Sequence, residues 1–390
     1  MYQVFVRRML LYHYQEMYGL TVKVLNIYFI LSFGFIVFCS LIIFLVQNLF
    51  GLGSEGFASL LLVYFGALSL LWLTMAPLYA FKKYYALTAI FALTVVTNNI
   101  AVRILFSDPS KIDLFYYGIY LSIFSFIIYI CTFLYLRWDE IRLEEEEHGK
   151  KMYQNVRLPG FSFIVIPGLP YAISGVLYFL ILFTDRLVVW SGGMTSQLSV
   201  NLTYEAAANL SLFILVPVFG SLNYTMMRMY REVAEGGEML LAKDISMYRR
   251  NVLNWYWRVL LYNSLVGLLS LAVLYFVMRS YVGSSLFGIV WINDVMIYIL
   301  AIEGLGDILL TIFLINSLLF NYLCRPNLAV ISSLPAVVVN LALSTLLVRN
   351  LGFQYACWGY LSCMAIASLI STFLASRLAG KIDYAYYSAF

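Results

Sequence analysis

Apolar residues run along the chain in ten long blocks, roughly 24–50, 56–81, 84–106, 113–137, 160–190, 204–228, 255–280, 294–322, 327–348 and 354–378. A bilayer core about 30 Å thick needs about 20 apolar residues in a helix, and each block reaches that length. The pattern predicts an all-α, polytopic membrane helix bundle. One polar stretch, Arg137 to Arg157, interrupts it with Glu144-Glu145-Glu146-Glu147-His148 and Lys150-Lys151. Like charges adjacent in sequence repel and stay hydrated, so this stretch reads as a solvated linker. It divides the chain into two lobes: residues 1–157 with four helices, and residues 158–390 with six.

Local breaks refine the elements. The block from Gly160 to Trp190 is too long for one perpendicular helix, about 45 Å at 1.5 Å per residue. Pro167 and Pro170 resolve this, because proline fits the first helical turn, and the buried helix should begin near Pro170. Pro217 and Pro335 should break two further spans and suit a cavity or hinge. Between spans, Met229 to Asn254 should be broken by Gly236-Gly237. Beyond these, Leu240, Leu241, Ile245, Tyr248 and Val252 recur at helical spacing, with Lys243, Arg249 and Arg250 off that stripe. The segment should form an amphipathic helix lying on the inner leaflet, with Arg249 and Arg250 available to a partner.

Composition agrees with the pattern and adds orientation. The chain is 63% hydrophobic and 11% charged, with a mean hydropathy of +0.87; a soluble globule carries about 25% charge. If both termini lie inside, Arg103, Lys111, Arg186, Arg279 and Arg349 lie outside, and the 24 Lys and Arg less these five leave 19 inside. This is the bias of the positive-inside rule. The net charge of +4 is then a membrane-topology signal. No basic stripe interleaved with aromatics points to nucleic acid. The five cysteines are scattered without CxxC spacing, and His13 and His148 stand alone in polar flanks, so no metal and no cofactor is expected. GxxxxGK[ST], HExxH and GxSxG are missing, which argues against an enzyme and against in-chain ATP hydrolysis.

The candidate chemistry is therefore intramembrane. Glu303 and Asp307 stand at i and i+4, on one helical face. From a helix start at Asp294 they lie about 13 and 20 Å deep. A carboxylate at that depth costs roughly 2.5–3.5 kcal/mol on insertion scales, so such groups face a polar interior or pair with a cation. The functional reading is a proton or cation site or a polar substrate contact; the alternative is an internal pair that only orders packing. Asp185-Arg186 falls about one turn inside the outer boundary, before an interfacial Trp190, and reads either as an outer gate or as a neutralised helix-end pair. Asn98, Asn99, Asn209, Asn223, Asn263, Asn316 and Asn340 either glue helices or line a wet path. Aromatic residues make up 17% of the chain, with 32 Tyr; they suit sugar stacking, but interface belts enrich them too. Tyr120-Leu121-Ser122 and Tyr360-Leu361-Ser362 hint at a repeat between the lobes, as duplicated transporters show.

Several ordered pieces resemble the PelG family, the inner-membrane exporter component of the Pel exopolysaccharide system, within the MATE-like flippase superfamily. They are Thr184-Asp185-Arg186-Leu187-Val188-Val189-Trp190; Val216-Pro217 followed by Met229-Tyr230-Arg231 and Glu235-Gly236-Gly237; and Gly352-Phe353-Gln354-Tyr355, Gly359-Tyr360 and Ile382-Asp383-Tyr384. Residues 56–90 are similar more loosely, through Trp72-Leu73 and Lys82-Lys83-Tyr84. The resemblance implies twelve helices, so the first lobe is expected to be two helices short at its N-terminus, with residues 1–23 as a polar segment. It implies export of a polysaccharide across the bacterial cytoplasmic membrane. The expected partners are the lipid bilayer, the glycan, a cytoplasmic glycosyltransferase and other membrane subunits. Asp185, Arg186, Glu303, Asp307, Asn209 and Asn223 are then the candidate substrate or ion pathway, and Arg249 and Arg250 the docking site. The alternatives are a cation-coupled exporter of small molecules or lipid-linked oligosaccharide, and a non-transporting scaffold of a synthase complex.

Overall fold

Uninterrupted apolar sequence becomes uninterrupted helix, because a backbone in lipid can satisfy its polar groups only within its own helix. The computed structural model describes residues 2–50, 57–105, 114–148, 160, 166–192, 201–238, 245–286 and 290–387. Among these, nine helices are long and apolar enough to cross a membrane, and a tenth has a shorter described apolar stretch, Tyr84–Thr94. The all-α membrane bundle is what the structure contains. Its one exception is a hairpin of two-residue strands, β1 (Ser285–Leu286) paired with β2 (Val290–Trp291). Contacts group the chain into two compact units, Met1–Ala172 and Ile173–Phe390.

The first unit holds α1 (Tyr2–Tyr14), α2 (Tyr18–Phe50), α3 (Phe57–Ala80), α4 (Tyr84–Leu105) and α5 (Leu114–His148). The start of the chain, expected as a polar segment, is a packed helix. Phe5, Val6, Met9 and Tyr12 share one side of α1 and are buried with Tyr28 of α2 and Leu136 of α5. Tyrosines tie the spans by donating to carbonyls, Tyr28 to Leu73 at 2.9 Å and Tyr129 to Phe29 at 2.5 Å.

The polar stretch after residue 137 is not wholly a solvated linker either. α5 continues through it to His148, and its spacing turns Glu140 and Glu144 inward, at 1% and 5% exposure. Glu140 sits 3.0 Å from His13, and Glu144 accepts from the Gly19 backbone N–H at 2.9 Å, near the start of α2. An acid there satisfies one of the donors that every helix start leaves open. Lys150 and Lys151 lie outside the described residues.

The later helices are α6 (Leu169–Ser191), α7 (Leu202–Ser211), α8 (Leu215–Glu238), α9 (Ile245–Ser280), α10 (Asp294–Tyr322), α11 (Asn327–Leu351), α12 (Ala356–Ala379) and α13 (Ile382–Tyr387). As expected, Pro170 occupies the first turn of α6. α7 and α8 form one span with a short 3-10 turn at Leu212–Ile214 between them. Pro217 accounts for it: lacking an N–H, it cannot serve the carbonyl of Phe213 four residues earlier. α10 is the hub. Asn293 caps its start by accepting from the Met296 N–H at 2.8 Å, and α10 packs against α7, α8, α9, α11 and α12. Asparagines act here as interhelical glue. Asn316 takes the Tyr256 hydroxyl at 2.8 Å and donates to Ser371 and Thr372, joining α9, α10 and α12. Asn340 donates to the Ile181 carbonyl and accepts from Ser344, joining α6 and α11.

Gly236-Gly237 do not end a helix; α8 runs through them to Glu238. Nor does the stripe Tyr248–Val252 rest on lipid as an interfacial helix. It is the first part of the continuous 36-residue α9, and both residues are buried against α8, with the Tyr248 hydroxyl donating to the Val233 carbonyl at 2.8 Å. At Tyr248 and Val252 the apolar spacing meets another helix; Leu240, Leu241 and Lys243 lie outside the described residues.

Small residues set the closest approach. A Cβ at Gly359 of α12 would fall 1.9 Å from Ser344 Oγ and 2.9 Å from Ser344 N of α11. The backbone atom cannot swing away, so Gly359→Ala should cost about 1–3 kcal/mol by overpacking. A lowered melting temperature of the purified chain checks this; an unchanged one would contradict the helix contact.

Candidate functional site

Three helices meet around one buried polar cluster. α6 contributes Asp185 and Arg186 from its second half, α7 contributes Tyr204, Glu205 and Asn209, and the middle of α10 contributes Glu303 and Asp307. Asp185, Arg186, Glu303 and Asp307 are between 0% and 4% exposed. The i, i+4 spacing on α10 does place both acids on one face, and that face looks into the bundle.

The connections are specific. The Tyr204 hydroxyl stands 2.7 Å from Asp185 Oδ2 and 2.8 Å from Glu303 Oε1, bridging α6 and α10. Tyr360 of α12 donates to Asp307 Oδ1 at 2.7 Å. Arg186 donates through Nη1 to Asn209 Oδ1 at 2.6 Å, stands 3.3 Å from Glu205 Oε2, and stacks over the Phe183 ring at 5.2 Å. Trp190 donates to Glu205 Oε1 at 2.8 Å, so Trp190 orients an acid as well as marking the helix end.

Two features distinguish this cluster from an ordinary packing contact. One arginine faces four carboxyls, Asp185, Glu205, Glu303 and Asp307. In addition, Asp185 Oδ1, Arg186 Nε and Asp307 Oδ2 are buried without a hydrogen-bond partner within the chain. Hydrogen-bond arithmetic adds a constraint. A phenol has one proton and can donate to one carboxyl only. The chain Asp185–Tyr204–Glu303, close at both contacts, therefore requires one proton beyond the one the phenol brings. No group of three or more His, Cys, Asp or Glu side chains is arranged to hold a metal among the described residues.

Of the sequence-derived candidates, Asp185, Arg186, Asn209, Glu303 and Asp307 come together. Asn223 does not; it is exposed on α8, away from the cluster. Arg249 is engaged within the chain, donating from Nε and Nη2 to both carboxylate oxygens of Asp383 at 2.8 Å, while Arg250 is exposed. Sequence reasoning missed Tyr204, Glu205 and Tyr360. Glu205 carried a signal, as an acid one turn into an apolar block, whereas the two tyrosines were hidden among 32.

The Arg249–Asp383 pair fastens α13 to the start of α9 and gives a pH test. The Arg249 guanidinium beside Asp383 holds its carboxyl below the ordinary carboxylate range. A depressed folded-state pKa contributes stability above the unfolded value, about 3.9 for Asp, and loses it as pH falls through the folded value. Amide exchange in residues 382–387 should therefore stay slow down to about pH 4 and rise below it. Asp383→Asn should be fast-exchanging throughout; equal protection in both chains would contradict the anchor.

A family model described as "PelG: Putative exopolysaccharide Exporter (EPS-E)" matches residues 4–387. No curated protein and no solved structure gives a match.

Proposed function

The chain belongs to the PelG family, whose role is exopolysaccharide export, and from that premise we propose that it is a cytoplasmic-membrane transporter that moves an exopolysaccharide outward, with Asp185, Arg186, Glu303 and Asp307 as its ion-responsive core. The multi-pass bundle provides the membrane-spanning body. The observation that carries the proposal is the buried cluster, with its several carboxyls around one arginine and the Tyr204 hydroxyl set between two acids. Apolar packing at such a site is often as stable or more so, and ionisable groups inside a membrane-spanning bundle commonly mark ion or substrate pathways.

At 0–4% exposure these groups do not meet a polymer directly. Their role in this proposal is to bind and release a proton, which changes the attraction between α6, α7 and α10 and biases the second unit between two packings. With no in-chain ATP hydrolysis motif, work comes from an ion gradient or from a glycosyltransferase pushing the growing chain. Both termini lie on the cytoplasmic side in this reading, as the basic residues favour.

Removing the whole chain from producing cells tests the transport role. Polymer should still be made but remain on the cytoplasmic side, released only by lysis. A scaffold role instead gives no polymer in either fraction, because the synthase falls apart, and that result would overturn the proposal.

A further inference from the structure

We propose that Arg228, Trp255 and Arg258, at the junction of α8 and α9, form a headgroup site for an anionic membrane lipid that carries two phosphates, of the diphosphatidylglycerol type. Trp255 and Arg258 stand three residues apart on α9 and so are neighbours on its surface, and α8, packed alongside, brings in Arg228. The Arg228 guanidinium lies 4.6 Å from the centre of the Trp255 ring, and that of Arg258 lies 5.5 Å from it. The shared ring therefore holds the two charges no further apart than these two distances combined. Both arginines are exposed, and the ring is half-buried.

Depth points to lipid headgroups. Residues 259–278 of α9 carry no charge, and at 1.5 Å per residue they cover about 30 Å, the thickness of a hydrocarbon core. Arg258 and Arg279 thus stand at its two edges, and Arg228 lies at the end of the neighbouring span, Leu202–Met229. Charge points to an anion. Arg279 at the far edge meets Asp294, and Arg249 meets Asp383. Arg228 and Arg258 meet no carboxylate among the described residues; their contact there is the Trp255 ring. Long side chains that could reach separate headgroups are instead gathered on one ring, where two like charges repel unless an anion joins them. A guanidinium stacked on a ring face keeps its N–H edge free for a bidentate contact with phosphate. Two such forks match two phosphates on one headgroup. A singly charged lipid leaves one guanidinium uncompensated, and a zwitterionic lipid adds no net charge to either.

The test titrates the full chain, purified in detergent and stripped of lipid, with diphosphatidylglycerol and with phosphatidylglycerol, and counts bound lipid by native mass spectrometry. The first bound diphosphatidylglycerol should be held at least about fivefold more tightly than phosphatidylglycerol, as about 1 kcal/mol for the second arginine gives. Arg228→Gln with Arg258→Gln should lower that ratio about fivefold. Trp255→Leu keeps both charges but not the ring that gathers them, and should lower the ratio as well. Arg250→Gln with Arg377→Gln removes as much charge away from Trp255 and should leave it unchanged. Soluble pyrophosphate should not displace the bound lipid. Equal affinities in the native chain overturn the proposal, as does a ratio that both the Arg228/Arg258 and Trp255 changes leave intact. A ratio lowered equally by the Arg250/Arg377 change overturns it too, by showing general surface charge. Displacement by pyrophosphate would assign the two arginines to a soluble diphosphate instead of a lipid.

Discussion

Arg186→Leu should destabilise the second unit by about 3–5 kcal/mol, the cost of removing one partner from a buried charge network. Arg186 is the cation among four carboxyls, and leucine leaves Glu205 and Asn209 without their shared donor. The loss reads out as a lowered melting temperature and reduced membrane abundance. Adding Glu205→Gln should return part of it, because the second change removes the charge stranded by the first. A shift below about 1 kcal/mol would mean the carboxyls do not depend on the guanidinium.

Tyr204→Phe is the second large effect, and a more selective one. The ring remains, so the packing of a fully buried side chain is preserved, but the hydroxyl joining Asp185 to Glu303 is gone. A lost buried hydrogen bond costs about 1–3 kcal/mol, while export should fall at least about tenfold if, as proposed, the bridge relays the proton. Tyr360→Phe, which frees Asp307, should resemble it more weakly, because that phenol contacts a single acid. Equal secreted polymer from native and Tyr204→Phe cells at matched abundance would remove the bridge from the mechanism.

Much of this was legible from hydropathy and punctuation. The spans, the start of α6 at its prolines, the start of α10 at Asp294 and the shared face of Glu303 and Asp307 all follow from local rules, and local rules survive folding in a membrane because each helix satisfies its own backbone. What failed was non-local. Whether an apolar stripe meets lipid or another helix depends on neighbours far in sequence, so Tyr248 and Val252 looked interfacial and are core. Charged residues in a polar run look solvated until their helix is extended against a neighbour, as Glu140 and Glu144 are. Gly236-Gly237 lower helix propensity by only about 1 kcal/mol per residue, which tertiary packing overrides. Tyrosine says little about itself: Tyr204 bridges two acids, while Tyr85 stands 95% exposed.

The glutamate at the centre of the bridge offers the most direct test. Glu303→Gln keeps the shape and the ability to hydrogen-bond to Tyr204 but cannot exchange a proton. Secreted exopolysaccharide would be measured from cells carrying this chain at native membrane abundance and with a melting temperature within a few degrees of the native value. The account predicts a fall of at least about tenfold, as expected for loss of a positioned acid–base group, with polymer retained inside. Undiminished secretion from a stable Glu303→Gln chain would contradict it and leave the buried cluster as packing alone.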